Sequence, residues 1–239
     1  MKTRAYAKIN IGLDITGIRE DGYHLLDMVM QTVDLYDELE ITPRDDGRVV
    51  IECDDPGVPT DGRNLAVKAF RALIPEGDER GVSIFLKKNI PSQAGLGGGS
   101  SDAAEVLKAV NDLCGLGKTP DELETAAAKI GADVPFFIKG GCQRCRGIGE
   151  ILSPAEDSHG DYVVIVKPEA GASTKDVYAA YDRLAEKPGC ANVLEAVTAE
   201  MFPVIREIKE QLLAAGAELA GMSGSGTAGF GIFKEMPDE

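Results

Sequence analysis

The 239-residue sequence has no apolar run near the roughly 18 residues that a membrane span requires. Its start, MKTRAYAKINIG, carries basic residues without an apolar stretch behind them, so no secretory signal is expected. Basic residues are scarce: 25 Lys and Arg stand against 40 Asp and Glu, a net charge of −15. That balance disfavours nucleic acid and anionic membrane as partners, because both need a basic surface. A phosphate ligand is still admissible, but only through local devices. The five cysteines, Cys53, Cys114, Cys142, Cys145 and Cys190, are odd in number and scattered, which argues for reduced thiols in a cytoplasm. Cys142 to Cys145 is a lone CxxC. It makes no four-ligand zinc site by itself, and only Cys190 could readily join it. On a strand the pair would lie on opposite faces, so it reads as incidental, with a metal or redox module as the rival. No long internal repeat and no low-complexity tract is present.

What is there suits one large domain or two small ones with a real core. Hydrophobic residues make up 44% and charged residues 27%, an ordinary globular balance. Ala7–Ile15 alternates Ala7, Ile9, Ile11, Leu13, Ile15 with a period of two and reads as a strand. Val29–Ile41, Val49–Cys53, Val82–Leu86 and Tyr162–Val166 read likewise. Asn64–Leu73 and Ala103–Leu113 have helical spacing, the second with Gly115 as its stop. Thr119-Pro120-Asp121-Glu122 is a helix start with an N-cap Thr, Pro at N1 and a capping-box Glu. That helix should run to about Ile130, with Gly131 just beyond it. Ser173-Thr174 should cap a helix through Leu184, and Pro203–Ala215 should be another. Met222–Phe233 reads as a glycine turn entering a strand. Pro, Asp, Ser, His and Gly cluster at Ser153–Gly160, and a boundary between two α+β domains is expected there.

The stretch PSQAGLGGGSSDAAEVL follows the strand VSIFLKKNIP and opens a helix. Glycines let the backbone approach a phosphate closely, and the helix N-terminus adds N–H donors and partial positive charge. Ser100 and Ser101 can add hydroxyl donors or a magnesium ligand. The run is not a Walker A loop, since no lysine follows the glycines. It is not G-x-G-x-x-G, since Ser100 takes the third glycine position, and no protein-kinase HRD or DFG run is found. A flexible surface turn is the bland alternative, which the helix directly after the turn disfavours.

Pro91–Ala104, PSQAGLGGGSSDAA, resembles the phosphate loop of the GHMP small-molecule kinases. AYAKINIGLDITGIREDGYHLLDMVMQTVDLYD, GADVPFFIKGG and MSGSGTAGFGIF agree with further motifs of that family in the same order, so the resemblance covers nearly the whole chain. It implies an α+β, two-domain GHMP kinase fold: a ribosomal protein S5 domain 2-like N-terminal domain over residues 1–154, then a ferredoxin-like C-terminal domain over 155–239. It places the active site in the interdomain cleft. The implied reaction moves the γ-phosphoryl group of ATP to a substrate hydroxyl, with Mg2+ accompanying ATP. The branch most resembled acts on cytidine diphosphate methylerythritol, in the non-mevalonate route to isoprenoids.

By the same resemblance, Lys8 and Asp133 match the catalytic pair: an aspartate takes the hydroxyl proton while a lysine offsets charge on the transferring group. Alone, Lys8 also reads as a solvated charge and Asp133 as a turn residue before Pro135. Asn10 shares a strand face with Lys8 and would bind the polyol, or satisfy a backbone group. Tyr23 and His24 match a cytosine-binding pair, and Tyr178 a second aromatic closing a sandwich on the base. Helix packing is the alternative for Tyr178, and a structural role for His24. Asn64 and Lys88 match positions near adenine and ribose. Pro91, Gly95, Leu96, Gly97, Gly98, Gly99, Ser100 and Ser101 form the ATP loop, with Ser101 the candidate magnesium ligand. Gly224, with Gly226, would support the substrate phosphates or simply make a tight turn. AEKPGCA between Leu184 and Asn192 is shorter than the family leads one to expect. MPDE at the end reads as the first turn of a helix. The expected partner is the small-molecule substrate, without nucleic acid or membrane, on a cytoplasmic monomer or weak homodimer. Rival functions are a homoserine or mevalonate type kinase and a non-catalytic nucleotide-binding homologue.

Overall fold

The alternating stretches near the N-terminus become two long strands, β1 (Lys2–Ile18) and β2 (His24–Arg44), paired with each other. The computed structural model describes residues 1–156 and 162–237. Asp157 to Gly160 of the expected boundary cluster, and Asp238-Glu239 of the expected final helix turn, lie outside the described residues. β2 exceeds its alternating stretch because each of its ends finds its own ladder partner. Residues 38–44 pair antiparallel with β4 (Gly81–Lys87), and residues 26–31 with β5 (Cys142–Gly147). Backbone hydrogen bonding thus extends the strand past where the apolar pattern fades.

Two compact units interleave along the sequence. The first comprises Met1–Ala7, Asp34–Ile90 and Gly97–Gly140; the second, Lys8–Val33, Pro91–Leu96 and Gly141–Glu239. In the first unit, β3 (Val49–Cys53) lies parallel to β4, which lies antiparallel to β2. Leu39 stands opposite Leu86, Ile41 opposite Ile84, and Ile51 beside Ile84, all buried. Glu38, Glu40, Phe85 and Lys87 between them are exposed, as a period of two dictates. Asp37 continues the inward series and is wholly buried. The helices are α1 (Leu65–Leu73), α2 (Gly98–Leu113), α3 (Pro120–Ala127) and the short α4 (Phe136–Lys139). α1 packs on α2, burying Phe70, Val106, Leu107 and Val110. The expected capping box of α3 is present between Thr119 and Glu122. α3 ends before Ile130 because its last residues tighten: the Ile130 amide bonds the Ala127 carbonyl three residues back, at 2.9 Å.

In the second unit, β5 pairs with β6 (Ile151–Pro154) and with the first part of β2. A second sheet, antiparallel, has the order β7 (Tyr162–Val166), β9 (Gly229–Phe233), β8 (Leu219–Met222). The helices are α5 (Thr174–Asp182), α6 (Val193–Met201) and α7 (Val204–Ala214). Ser173 caps α5 as expected, though the helix stops two residues short of Leu184. Ile208 and Leu212 of α7 form a core with Ala217 and Phe233. Gly229 lets α7 sit directly on β9, since a Cβ there would lie 2.6 Å from Ile208. The CxxC lies on β5, where Cys145 is buried and Cys142 half-buried, three residues apart and so on opposite faces. Among the described residues no cluster of three or more His, Cys, Asp or Glu could hold a metal, and no helix is long and apolar enough to cross a membrane.

Candidate active site

The glycine loop turns by left-handed backbone at Gln93, Gly95 and Gly97 (φ 52°, 75° and 74°). α2 begins earlier than its apolar pattern, at Gly98, so Gly98, Gly99, Ser100 and Ser101 make its first turn. Gly97 is its N-cap and no side chain caps it; the Ser100 and Ser101 amides bond the Gly97 carbonyl at 3.0 and 2.9 Å, which leaves those of Gly98 and Gly99 to other acceptors. Gly99 is exposed, and a Cβ there would meet nothing within 4 Å. Gly95 is constrained. A Cβ on it would lie 2.0 Å from the Ser223 carbonyl oxygen, so only glycine allows the loop to press against residues 223–226. The Ser223 hydroxyl donates to the Gly95 carbonyl at 2.8 Å.

That same carbonyl accepts from Lys8. The Lys8 Nζ is 2.7 Å from the Gly95 oxygen and 2.5 Å from Asn10 Oδ1, and Lys8 is only 3% exposed. Spacing of two on β1 puts Lys8 and Asn10 on one face, as expected. The Asn10 amide donates to Ser223 Oγ at 3.1 Å, and a Cβ on Gly224 would sit 3.4 Å from Lys8 Nζ, Asn10 Oδ1 and the Gly95 oxygen. The second unit therefore gathers Lys8, Asn10, Gly95 and Gly224 about one point. Asn192, buried, holds the loop behind it. Its Nδ2 donates to the Met222 and Gly224 carbonyls, both at 2.8 Å, while its Oδ1 caps α6 through the Leu194 amide. Asp133 belongs to the first unit, half-buried in the turn between α3 and α4, where the Val134 amide bonds the Gly131 carbonyl.

Also in the second unit, His24 meets Tyr178. Their ring centroids are 4.7 Å apart and tilted by 37°. His24 Nε2 is 2.8 Å from Asp182 Oδ1. Tyr178 and Asp182 are four residues apart on α5, so one helix face presents both. Tyr23 is more than half exposed and carries the Arg19 guanidinium 5.3 Å above its ring.

Three expected ATP residues have structural partners in the first unit. Asn64 is the N-cap of α1, accepting from Ala66 and donating to the Pro59 carbonyl. Ser101 is 1% exposed and its hydroxyl donates to the Gly98 carbonyl at 2.8 Å. The Lys88 ammonium bonds Asp37 and Asp102, with its side chain 8% exposed. Burial pushes the Asp102 carboxyl up to about 7; Lys88 opposes the shift and the Asp37 charge adds to it. Ser223, Asn192, Asp182 and Asp37 were not singled out from the sequence. The helical i, i+4 spacing of Tyr178 and Asp182 was a signal available for one of them.

The chain is similar to known proteins over nearly its whole length. Residues 64–141 match the family described as GHMP kinases N terminal domain, and residues 183–239 match GHMP kinases C terminal. The chain is 44% identical to the 4-diphosphocytidyl-2-C-methyl-D-erythritol kinase of Clostridium novyi, covering 98% of this chain and 91% of the relative. It belongs to the GHMP kinase family. The same enzyme of Clostridium beijerinckii is 42% identical, over 99% of this chain and 92% of that one. A crystal structure of 4-(cytidine 5'-diphospho)-2C-methyl-D-erythritol kinase superposes with a TM-score of 0.78 at 36% identity, covering 97% of this chain and 90% of that one. Homoserine kinase from Cytophaga hutchinsonii, at 20% identity and a TM-score of 0.72 over 97% of this chain and 85% of that one, shares the fold. As a GHMP kinase, the chain is an ATP-dependent small-molecule kinase of mixed α and β structure.

Proposed function

We propose that this kinase phosphorylates the 2-hydroxyl of 4-(cytidine-5′-diphospho)-2-C-methyl-D-erythritol, in the non-mevalonate pathway to isoprenoid precursors. The observation that carries the site assignment is the buried Lys8 ammonium, fixed by Asn10 and by the Gly95 carbonyl of the glycine loop. In this reading Lys8 offsets charge on the transferring phosphoryl group, and Asn10 orients the polyol. The hydroxyl proton passes to the Asp133 carboxylate as the new oxygen–phosphorus bond forms. The bond from the γ-phosphorus to the bridging oxygen breaks, and ADP leaves. The glycine loop from Gly95 and the Gly98 and Gly99 amides that open α2 donate to the nucleotide phosphates, with the Ser100 hydroxyl as a further donor. Tyr23, His24 and Tyr178 hold the cytosine, and Asp182 fixes the imidazole orientation.

Magnesium, bound with ATP, would neutralise charge on the β- and γ-phosphates. Ser101 does not fit as its ligand, because the residue is buried beneath the first turn of α2 at 1% exposure. The reading also includes a family-level division at residues 154/155, a cytoplasmic location, a monomer or weak homodimer, and no nucleic-acid or membrane partner.

The test is ATP consumption by the purified chain with the cytidine diphosphate methylerythritol substrate, beside homoserine and mevalonate, with Asp133→Asn in parallel. Turnover of the cytidine substrate alone, reduced at least about 100-fold in the variant, is the expected result. Turnover of homoserine or mevalonate instead would refute the substrate assignment.

A further inference from the structure

The glycine loop leaves β4 and enters α2, and a buried cluster in the first unit ties those two ends together. Asp37 Oδ1 accepts from the backbone amides of Asn89 at 2.6 Å and Ile90 at 2.8 Å, the last residues before Pro91. Its other oxygen accepts from the Lys88 ammonium. The same ammonium donates to Asp102 Oδ2 at 2.6 Å, in the second turn of α2. The ends are also in contact, for a Cβ on Gly98 would lie 3.0 Å from Ile90. One ammonium therefore bridges the exit from the strand to the entry of the helix.

Stability alone does not explain the cluster. Two carboxylates share one ammonium, with side chains 8%, 0% and 3% exposed for Lys88, Asp37 and Asp102. Asp102 Oδ1 is buried without a hydrogen-bond partner. Buried ion pairs are commonly no more stabilising than apolar residues of equal volume, and an unsatisfied oxygen is a direct cost. What the cluster supplies is geometry. It sets the separation and angle of the loop ends, and through them the direction of the α2 amides.

We propose that Asp37, Lys88 and Asp102 are positioning residues that hold the two ends of the glycine loop and thereby set the affinity for ATP. The proposal rests on the reading of that loop as the nucleotide site. Lys88 then acts on the nucleotide through the loop it holds.

The experiment measures ATP binding by calorimetry on the full chain without second substrate, then the KM for ATP and for the cytidine substrate. Asp102→Ala severs the bridge to α2, while Asp102→Asn keeps an oxygen acceptor for Lys88. The Ala variant should bind ATP at least about tenfold more weakly, and the Asn variant should stay within about threefold of wild type. The KM for the cytidine substrate should not move in either, a split that general destabilisation would not produce. A folded Asp102→Ala protein with wild-type ATP affinity overturns the proposal, as does an Asn variant as weak as Ala. If Asp102→Ala does not fold, Lys88→Gln replaces it; its neutral, shorter amide removes the charge that holds the two carboxylates together, and unchanged ATP affinity there also overturns the proposal. Because ATP binding is read without the cytidine substrate, a failure of the substrate assignment leaves this comparison intact.

Discussion

Replacing Asn192 by alanine removes one side chain that serves three backbone groups. Its Oδ1 accepts from the Leu194 amide at 3.0 Å and caps α6, and its Nδ2 donates to the carbonyls of Met222 and Gly224. The residue is 4% exposed, so water cannot easily take over. Its backbone is held independently, since the adjacent Ala191 carbonyl accepts from the Leu13 amide at 2.7 Å, so the loss should stay local. Removing an N-cap costs about 1 kcal/mol, and each buried carbonyl left without its donor about 1 kcal/mol more, giving roughly 3 kcal/mol. With a urea m-value near 3 kcal/mol/M for a chain of this size, the unfolding midpoint should fall by about 1 M. Asn192→Asp separates the terms. It keeps an acceptor at the start of α6 but sets a carboxylate against two carbonyl oxygens, so it should be at least as unstable as the alanine variant. Urea titrations followed by circular dichroism read both. A loss below about 1 kcal/mol in Asn192→Ala, or recovery in Asn192→Asp, would refute the reasoning, because the bonds to the second glycine loop would then contribute nothing. Turnover should fall more than stability does, since that loop backs Lys8 and Asn10.

Two further outcomes are expected. Gly95→Ala puts a Cβ 2.0 Å from the Ser223 oxygen at a residue with φ 75°, so the loop must shift and the Lys8 ammonium loses its carbonyl partner. Its kcat/KM should drop at least about 100-fold while the far-ultraviolet spectrum stays native; a drop under about tenfold would show that this carbonyl does not place Lys8. Asp102 sets a pH dependence of stability. Its folded pKa, raised to about 7 chiefly by burial, lies above the ordinary 3.8 of the unfolded chain, so between those values the folded state holds the extra proton. Its contribution is full below 3.8 and is lost as pH rises through about 7. Asp102→Asn cannot titrate, so the decline in urea midpoint from pH 5 to pH 8 should be shallower than in wild type; equal slopes would contradict the raised pKa.

Legibility followed sequence distance. The capping box at Thr119, the Ser173 cap and the glycine loop were readable because each is local, with donor and acceptor within a few residues. Lys8 and Asn10 were readable as a face because strand alternation fixes which residues point together. The ends of β2 were not, since its length depends on ladder partners far along the chain. β5 was missed for a related reason. Its residues CQRCRG show no apolar alternation, and Arg144 and Arg146 belong on its outer face only because Asp27 of β2 lies beside them.

The polar residues that organise the loops were hidden in the same way. Asp37 sits among the inward residues of an apolar strand, where sequence alone has no reason to expect a carboxylate. Its reason is Lys88, 51 residues later, and the amides of Asn89 and Ile90. Asn192 likewise answers to carbonyls 30 and 32 residues ahead. In both cases the glycines are visible in sequence because their role is written in their own backbone, whereas the side chain that immobilises them is chosen by contacts that exist only after folding. A glycine loop is therefore half of a device. Its freedom lets backbone approach a ligand, and a distant buried polar residue removes the freedom the ligand would otherwise have to remove on binding.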